Sequence, residues 1–524
     1  MELVPMIALL LHPLLASGLV VWIWWQYSWR KKSYELKGES RAQYLERHER
    51  NGERLLWATG FVILVAFTGR AVSGWYSDGD FTSNLLPQSL HGFMGPVGFV
   101  LMVVLTRMGR EARDKRKAGE SFATAKLKHG RLEVRLPDGT ECAYGSGGDG
   151  PRASFRITRE EFFKRCVFYG PIGFAEGYIA GEWETDDLTK LIAWFILNAS
   201  DAEALQTQTS RGTGLFDLFS AFNRLFHRMR HNSRAMSEKN IREHYDLSND
   251  FFRLWLDPTM TYSSAYFEKA DESLESAQIR KYDKLCRRLH LAPTDSVLEI
   301  GSGWGGFSMH AAKTFGCKVT TVTISKEQYA EASRRIHEAG LQDRIQLLLC
   351  DYRDLRGQFD KIASIEMLEA VGDRYVDGYF AKLDSLLSPH GLLGLQAILC
   401  PDRQYPILRD GVDFIQKHIF PGSLLMCNAR IAQAMAACGD LNLFEYEDMA
   451  PHYALTLRRW RETFEAKLDE VRKLGFDEAF LRKWRYYLCY CEAAFGTRHI
   501  TVAQMVYSRP DNLTTPSAIY CLPA

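Results

Sequence analysis

From Asp271 onward, apolar runs typical of β-strands alternate with helical patterns, and this alternation constrains the fold more than any other feature of the chain. Strands separated by helices predict an open, mostly parallel sheet with helices on both faces. The strand candidates are SVLEI, VTTVTIS, RIQLLLCD, FDKIASIE and GLLGLQAIL. We therefore predict one α/β domain over residues 241–524.

The first strand candidate ends in a glycine-rich turn, VLEIGSGWGGF, in which Gly301, Gly303 and Gly306 satisfy the pattern GxGxxG. A dinucleotide site would need an acid about 20 residues later, at the end of the second strand. That strand, VTTVTIS, contains none, whereas Glu299 precedes the glycines and Asp351 follows the third strand. This arrangement is typical of Rossmann-like methyltransferases that use S-adenosylmethionine, and the sequence favours that cofactor.

Three apolar segments precede this domain, at Leu3–Trp25, Leu55–Tyr76 and Leu90–Leu105. The first two are long enough to cross a bilayer, which takes about 20 residues, and the third is shorter. Eight Lys or Arg residues separate the first two segments, none occurs in 77–89, and six occur in 107–117. By the positive-inside rule, the amino terminus lies outside and the remainder faces the cytoplasm. We predict an integral membrane anchor over residues 1–118, with two to three transmembrane helices.

Two histidines, His12 and His91, would lie in the outer half of the bilayer. Facing histidines can ligate a haem iron. Alternatively, His12 bonds to a carbonyl freed by Pro13 and His91 lies at the water interface. We favour the second interpretation, in which these segments serve only as a membrane anchor and bind no haem.

Residues 119–205 are predicted to form a small α+β unit. GRLEVRLPDGTECAYG alternates apolar and polar residues around PDG, which indicates a β-hairpin. A helix is expected at REEFFKRCVFYG, followed by short turns from Gly173 and then a buried helix. Residues 206–240 contain a basic amphipathic linker helix, which either rests in an anionic headgroup layer or packs on the core.

The composition excludes two functional classes. A formal net charge of +1 argues against general nucleic-acid binding. Eleven cysteines without a CxxC pair fit reduced thiols better than a disulfide framework, and no metal site is expected.

Several motifs between about Phe122 and Pro510 resemble the cyclopropane-fatty-acyl-phospholipid synthase family, among them REHYDLSNDFFRLWLDPTMTYSSAYF, LEIGSGWGG, SIEMLEAVG and DFIQKHIFPG. The resemblance implies transfer of a methyl group from S-adenosylmethionine to a cis double bond in a phospholipid acyl chain. A base then removes a proton from the carbocation. The implied partners are the bilayer and its unsaturated phospholipids, without nucleic acid, and a homodimer is compatible with the sequence.

The resemblance also implies a pocket that holds bicarbonate, and its residues are our candidate catalytic residues. The family has cysteine and histidine where this chain has Ser264 and Gln396. Both replacements can donate a hydrogen bond but neither titrates as histidine does, so it stays open whether bicarbonate is a second cofactor. The pocket maps onto Ser264, Glu369, Gln396, Ile398 and Tyr453.

Aromatic faces for the cation could come from Tyr262, Tyr266, Phe267 and Tyr453, although core packing is the alternative for each. Glu366 ends its strand at the edge where α/β sheets bind ligands, but we interpret it as structural and do not assign it as the base. The cofactor is predicted to contact Tyr262, Ser263, Glu299, Gly301, Gly303, Gly305, Thr323, Ile324, Gln328, Asp351 and Tyr352.

The product and the functional class both have alternatives. Proton loss from the methyl carbon closes a cyclopropane. Proton loss from a chain carbon leaves a methyl-branched alkene, and a hydride shift before proton loss leaves a methylene branch; the altered pocket slightly favours a branched product. A methyltransferase for a small soluble amine is disfavoured by the anchor. A non-catalytic haem or scaffold protein is disfavoured by the intact glycines, Glu299 and Glu369.

Overall fold

The computed structural model describes residues 127–145, 147–199 and 248–512, together with 15–19, 21–23, 47, 50, 51, 54–65 and 68. The chain divides into two compact units, and the second contains all described residues from 127 onward. In the first unit, residues 54–65 are helical. Among the described residues, no helix combines the length and the apolar character that crossing a bilayer requires.

Much of the predicted anchor lies outside the described residues. The segment 90–105 is wholly outside, and 3–25 and 55–76 are described only in part. His12, His91 and the linker helix predicted within 206–240 also lie outside.

Residues 127–199 form a four-stranded sheet and two helices. The strands, in the order β2-β1-β3-β4, are β1 (Arg131–Arg135), β2 (Glu141–Tyr144), β3 (Arg152–Ile157) and β4 (Trp183–Glu184). Strands β1 and β2 pair antiparallel, which confirms the predicted hairpin.

The helices of this small unit are α1 (Glu161–Ile179) and α2 (Leu188–Asn198). The prediction of short turns from Gly173 was wrong, because α1 continues to Ile179 beyond a kink at Gly170. Pro171 begins the second half of the helix, where its missing N–H needs no partner. Glycine is present at 173 for packing, since a Cβ there would lie 2.2 Å from the Arg165 carbonyl oxygen.

The larger part, 248–512, is built on a seven-stranded sheet that confirms the predicted Rossmann-like architecture. The order is β10-β11-β9-β8-β5-β6-β7. The neighbours from β7 to β9 pair parallel, whereas β11 pairs antiparallel with both β9 and β10. The strands are β5 (Ser296–Ile300), β6 (Lys318–Thr323), β7 (Ile345–Leu349), β8 (Phe359–Ile365), β9 (Leu387–Leu399), β10 (Asn442–Asp448) and β11 (Thr501–Ser508).

The helices of this part alternate with the strands up to β9 and then cluster near the carboxyl terminus. They are α3 (Asn249–Arg253), α4 (Leu274–Arg288), α5 (Gly306–Phe315), α6 (Lys326–Glu338), α7 (Val376–Leu386), α8 (Tyr405–Asp410), α9 (Phe414–His418), α10 (Asn428–Cys438), α11 (Ala450–Ala466), α12 (Leu468–Lys473) and α13 (Glu478–Gly496).

Both faces of the sheet are buried, which explains the continuous apolar runs. Successive residues of a strand point to opposite faces, and Val297 and Leu298 of β5 accordingly belong to two different apolar clusters. One cluster contains α7 and the other contains α4 and α5. The carboxyl ends of β5, β6 and β8 are left to form a site.

The small unit packs against helices of the larger part. Glu176 pairs with Lys417 at 2.7 Å and His418 at 3.0 Å, at the end of α9. Thr189 contacts Glu492 of α13 at 3.3 Å. The small unit therefore supports α9, whose Ile415 and Gln416 line the cavity described next.

Candidate active site

The turn after β5 brings backbone to the edge of a cavity of about 380 Å³. Gly301 and Gly303 line it with φ of 92° and 49°, in the left-handed region that glycine tolerates best. A Cβ added to Gly303 would meet no protein atom within 4 Å. Gly303 therefore leaves open space beside its backbone, and a ligand can approach it closely.

Glu299, one residue before β5 ends, contributes a buried carboxylate to the same cavity. The Thr321 hydroxyl donates to its Oε2 at 2.6 Å. Burial raises the pKa of Glu299 to about 8. A cation placed beside this carboxylate would favour its charged form, and the ammonium of a bound amino acid is such a cation.

The remaining polar groups at this end come from the next two strands. Thr323 donates to the Gln328 side chain at 2.9 Å, and Ser325 caps α6 between them. Asp351 follows β7, and its carboxylate pairs with Arg353 at 2.6 Å. With an acid for the ammonium, open glycine backbone and polar groups beyond, these residues fit S-adenosylmethionine.

All the predicted cofactor residues except Gly305 line this one cavity. Gly305 has a φ of 88° and ends the turn as the N-cap of α5, so it shapes the loop without facing the cavity. Gly306 lines the cavity in its stead.

The opposite end of the cavity is aromatic and apolar. Tyr453 stacks on Phe495 with 4.4 Å between ring centroids, and Phe420 contacts Tyr262 at 6.2 Å. The Tyr262 and Tyr487 hydroxyl groups share a hydrogen bond of 2.8 Å, so neither is left without a partner. Such a lining excludes water and offers π faces to a cation.

Two of the four aromatic candidates lie away from this end. Tyr266 stacks on His452 at 4.2 Å and its hydroxyl donates to Glu447 at 3.0 Å. Phe267 packs with Ala265 and Ala277 in a separate apolar cluster. Only Tyr262 and Tyr453 of that set line the cavity, because the chain after Ser264 turns away from it.

Between the two ends lies Glu366, which follows the last residue of β8 and is held by three donors. Its Oε1 accepts from the Ser264 N–H and the Gln396 side-chain amide, each at 2.8 Å. Its Oε2 accepts from the Tyr453 hydroxyl at 2.7 Å. Ser264 and Gln396 are themselves fully buried behind Glu366 and do not line the cavity.

Glu369 is the second carboxyl group here and lines the cavity with Ile398. Its Oε1 accepts from the Ile398 N–H at 2.5 Å, and its Oε2 has no hydrogen-bond partner among the described residues. Burial first, and then the nearby charge of Glu366, raise the pKa of Glu369 to about 8. Glu369 therefore keeps its proton near neutral pH. Burial raises the pKa of Glu366 as well, but its three hydrogen-bond donors and the charge of Lys281 oppose that rise, so Glu366 is the better stabilised of the two as an anion.

Lys281 of α4 is fully buried beneath this site and was not among the predicted residues. Its Nζ donates to the Ser263 hydroxyl at 2.7 Å and lies 3.9 Å from the Tyr282 ring centroid. Burial lowers the pKa of Lys281 to about 7, while the charges of Glu366, Asp257 and Glu299 oppose that change. The sequence did contain one indication that Lys281 is buried. It lies four residues after Ala277 and four before Leu285, on the buried stripe of α4.

Other cavity residues were also missed. Phe420, Tyr487 and Phe495 come from α13 and the segment after α9. Phe420 lies within the motif DFIQKHIFPG, which was a readable signal for that segment. The aromatic pattern of Tyr487 and Phe495 does not by itself separate them from core packing.

Comparison with known proteins agrees with this geometry. Residues 232–505 match the family described as mycolic acid cyclopropane synthetase. Tuberculostearic acid methyltransferase UfaA1 of Mycobacterium tuberculosis is 38% identical over 73% of this chain and 88% of its own length. Cyclopropane-fatty-acyl-phospholipid synthase of Escherichia coli K12 is 37% identical over 68% of this chain and 88% of its own length.

A solved structure also resembles this fold. Coclaurine N-methyltransferase bound to N-methylheliamine and SAH superimposes with a TM-score of 0.51 over 64% of this chain and 99% of that one. At 19% identity, this likeness shows the methyltransferase fold alone.

Proposed function

The chain belongs to the mycolic acid cyclopropane synthetase family, and on that premise we propose that it methylates double bonds in the acyl chains of membrane phospholipids. It is an S-adenosylmethionine-dependent methyltransferase that transfers a one-carbon group to unsaturated lipid chains. The phospholipid class of substrate, the membrane location and the product are the proposed parts.

One observation carries the proposal: a single cavity joins the cofactor cradle to an aromatic, apolar end, with Glu366 and Glu369 between them. Bound S-adenosylmethionine supplies an electrophilic methyl group on a sulfonium. The apolar end holds the alkene and excludes water. Tyr262 and Tyr453 offer ring faces to the cation that forms on the chain, each contact contributing about 0.5–2 kcal/mol. An acyl chain fits this lining better than a small soluble amine does.

We propose a methyl- or methylene-branched product rather than a cyclopropane. Of the two departures from the synthase pattern, Gln396 donates its side-chain amide to the carboxylate of Glu366, whereas Ser264 contacts that carboxylate only through its backbone N–H. Glu366 lines the cavity, and we propose that the changed side chain at 396 alters where its carboxylate is held and therefore which proton is lost. The name of the relative UfaA1, a tuberculostearic acid methyltransferase, supports the same choice.

We also propose that residues 1–118 anchor the enzyme with the catalytic domain on the cytoplasmic face. The support is the hydropathy and the distribution of Lys and Arg in the sequence. An enzyme held at the bilayer meets a substrate that is confined to it. Reporter fusions after residue 118 should be active only in the cytoplasm, and a full chain that stays in the supernatant after ultracentrifugation would contradict the anchor.

The decisive experiment expresses the full chain in a bacterial host that makes monounsaturated phospholipids and lacks its own synthase. Gas chromatography with mass spectrometry should then show acyl chains heavier by one CH₂, with the branched and cyclic forms resolved. A host that carries the Gly303→Val variant is the matched control. Unchanged acyl chains with wild-type protein present in the membrane would refute lipid methylation.

A further inference from the structure

The residues that the family resemblance assigns to a bicarbonate pocket do not surround an open anion site. Three of them, Ser264, Gln396 and Tyr453, direct their hydrogen-bond donors to the carboxylate of Glu366 at 2.7–2.8 Å. A carboxylate and bicarbonate share the same planar pair of oxygens. We propose that the Glu366 side chain takes the place of bicarbonate and is the base that removes the proton from the methylated acyl chain.

This inference deepens the proposed function and rests on it. It also revises our interpretation of Glu366 as structural. The charge of Glu366 depends on its burial and on its donors. Burial raises its pKa, and the hydrogen bonds from the Ser264 N–H, the Gln396 amide and the Tyr453 hydroxyl oppose that rise by favouring the anion. Tyr453 keeps its proton to donate, because burial and the Glu366 charge raise the pKa of its phenol well above the ordinary value.

The two carboxylate oxygens of Glu366 differ in their remaining capacity to accept a proton. Oε1 has two donors, from Ser264 and Gln396, whereas Oε2 has one, from Tyr453. A carboxylate oxygen has two lone pairs, so Oε2 keeps capacity for another proton. Glu366 lines the cavity, and Oε2 is therefore the oxygen we assign as proton acceptor.

The backbone at Glu366 adopts an unusual conformation. Glu366 has a φ of 49°, a left-handed conformation that a residue with a Cβ rarely adopts, and its N–H donates to the Gln396 carbonyl at 2.7 Å. Backbone strain of this kind concentrates at functional sites. Here it turns the carboxylate away from the strand direction and toward the three donors.

Two neighbours set the working state of Glu366. Glu369 is protonated beside it, so the pair carries one negative charge and not two. Lys281 is buried nearby, its protonated form favours the carboxylate of Glu366, and its Nζ donates to the Ser263 hydroxyl. Both are positioning residues in this scheme.

The proton step balances without another reactant. The alkene electron pair forms the bond to the methyl carbon as the carbon–sulfur bond breaks, which leaves a cation on the chain. Glu366 Oε2 then accepts a proton. The electron pair of the broken C–H bond becomes the third bond of a ring, a C=C bond in the chain or, where a hydride has first moved from the methylated carbon to the cationic carbon, the C=C bond of a methylene branch. The carboxylate becomes a carboxylic acid and the cation is neutralised.

Three variants of the full chain test the proposal. Glu366→Gln keeps the shape and removes the base. It should lower turnover by about 10²–10⁴-fold, the usual effect of a general base, while calorimetry finds the affinity for S-adenosylmethionine within about threefold of wild type. Glu462→Gln, an exposed carboxylate on the same helix as Tyr453, is the matched control and should change neither quantity.

Glu366→Gly should relieve the left-handed backbone and leave the three donors for a free anion. Calorimetry should then detect bicarbonate binding to this variant and not to wild type, and added bicarbonate should raise the variant's turnover. Wild-type turnover should be unchanged in buffer purged of CO₂.

Two results would overturn the proposal: wild-type protein that binds bicarbonate as the glycine variant does, or wild-type turnover that needs bicarbonate. Full turnover by Glu366→Gln would overturn it too. The binding measurements need no turnover, so they decide the role of Glu366 even where the acyl chains prove unmodified and the proposed function fails.

Discussion

Replacing Gly303 with valine separates two effects that a glycine-turn substitution usually combines. The first is backbone strain. Gly303 has a φ of 49°, and an L-residue with a side chain pays roughly 1–2 kcal/mol in that region. The second is occupied space. A Cβ at 303 meets no protein atom within 4 Å, so the valine methyl groups do not clash with the fold but project where the cofactor must approach.

Gly340, just after α6, provides the matched control. Its φ is 66° and a Cβ there also meets nothing within 4 Å, but it does not line the cavity. Gly303→Val and Gly340→Val should therefore lower the unfolding free energy by similar amounts, about 1–2 kcal/mol each. Only Gly303→Val should weaken binding of S-adenosylmethionine, by at least about 100-fold, which corresponds to about 2.7 kcal/mol.

Isothermal calorimetry with S-adenosylmethionine on the three proteins measures this difference, and thermal unfolding without ligand measures the shared strain. Undiminished affinity in Gly303→Val would refute the placement of the cofactor against this turn. Equal losses of affinity in both variants would show that strain alone is responsible.

Two other predictions concern the buried acids. Tyr453→Phe removes the donor to Glu366 Oε2. Since that donor favours the carboxylate, the pKa of Glu366 should rise, and the acidic limb of the kcat/KM profile should move to higher pH. Turnover should fall by about tenfold or more. An unmoved acidic limb would count against Glu366 as the base. Glu299, whose pKa burial raises to about 8, is largely protonated at pH 7 in the empty protein, so binding the cofactor's ammonium should release up to about one proton. Calorimetry in buffers of different ionisation enthalpy measures this proton release. The Glu299→Gln variant should bind without releasing a proton. A binding enthalpy of wild type that does not depend on the buffer would contradict the prediction.

The α/β architecture could be read from the sequence because strand and helix periods are local. The candidate SVLEI coincides with β5, and the four other candidates overlap β6 to β9. The glycine turn and Glu299 could also be predicted from the sequence. The glycines that let a ligand approach the backbone and the acid near the strand end lie within a few residues of each other. Strands β10 and β11 were not among the candidates, and the insertion of β11 antiparallel between β9 and β10 depends on pairing across the sheet.

The tertiary structure alone decided the role of Glu366. Its three donors, Ser264, Gln396 and Tyr453, lie 102, 30 and 87 residues away in the chain. The motifs identified these residues one by one, but the anion that they contact depends on where β8, β9 and α11 pack. The spacing of apolar residues along one helix or strand indicates which face of that element is buried. Which side chains from separate elements meet at that face follows from the packing of the whole domain, and a left-handed residue at the end of β8 directs the carboxylate to that meeting point.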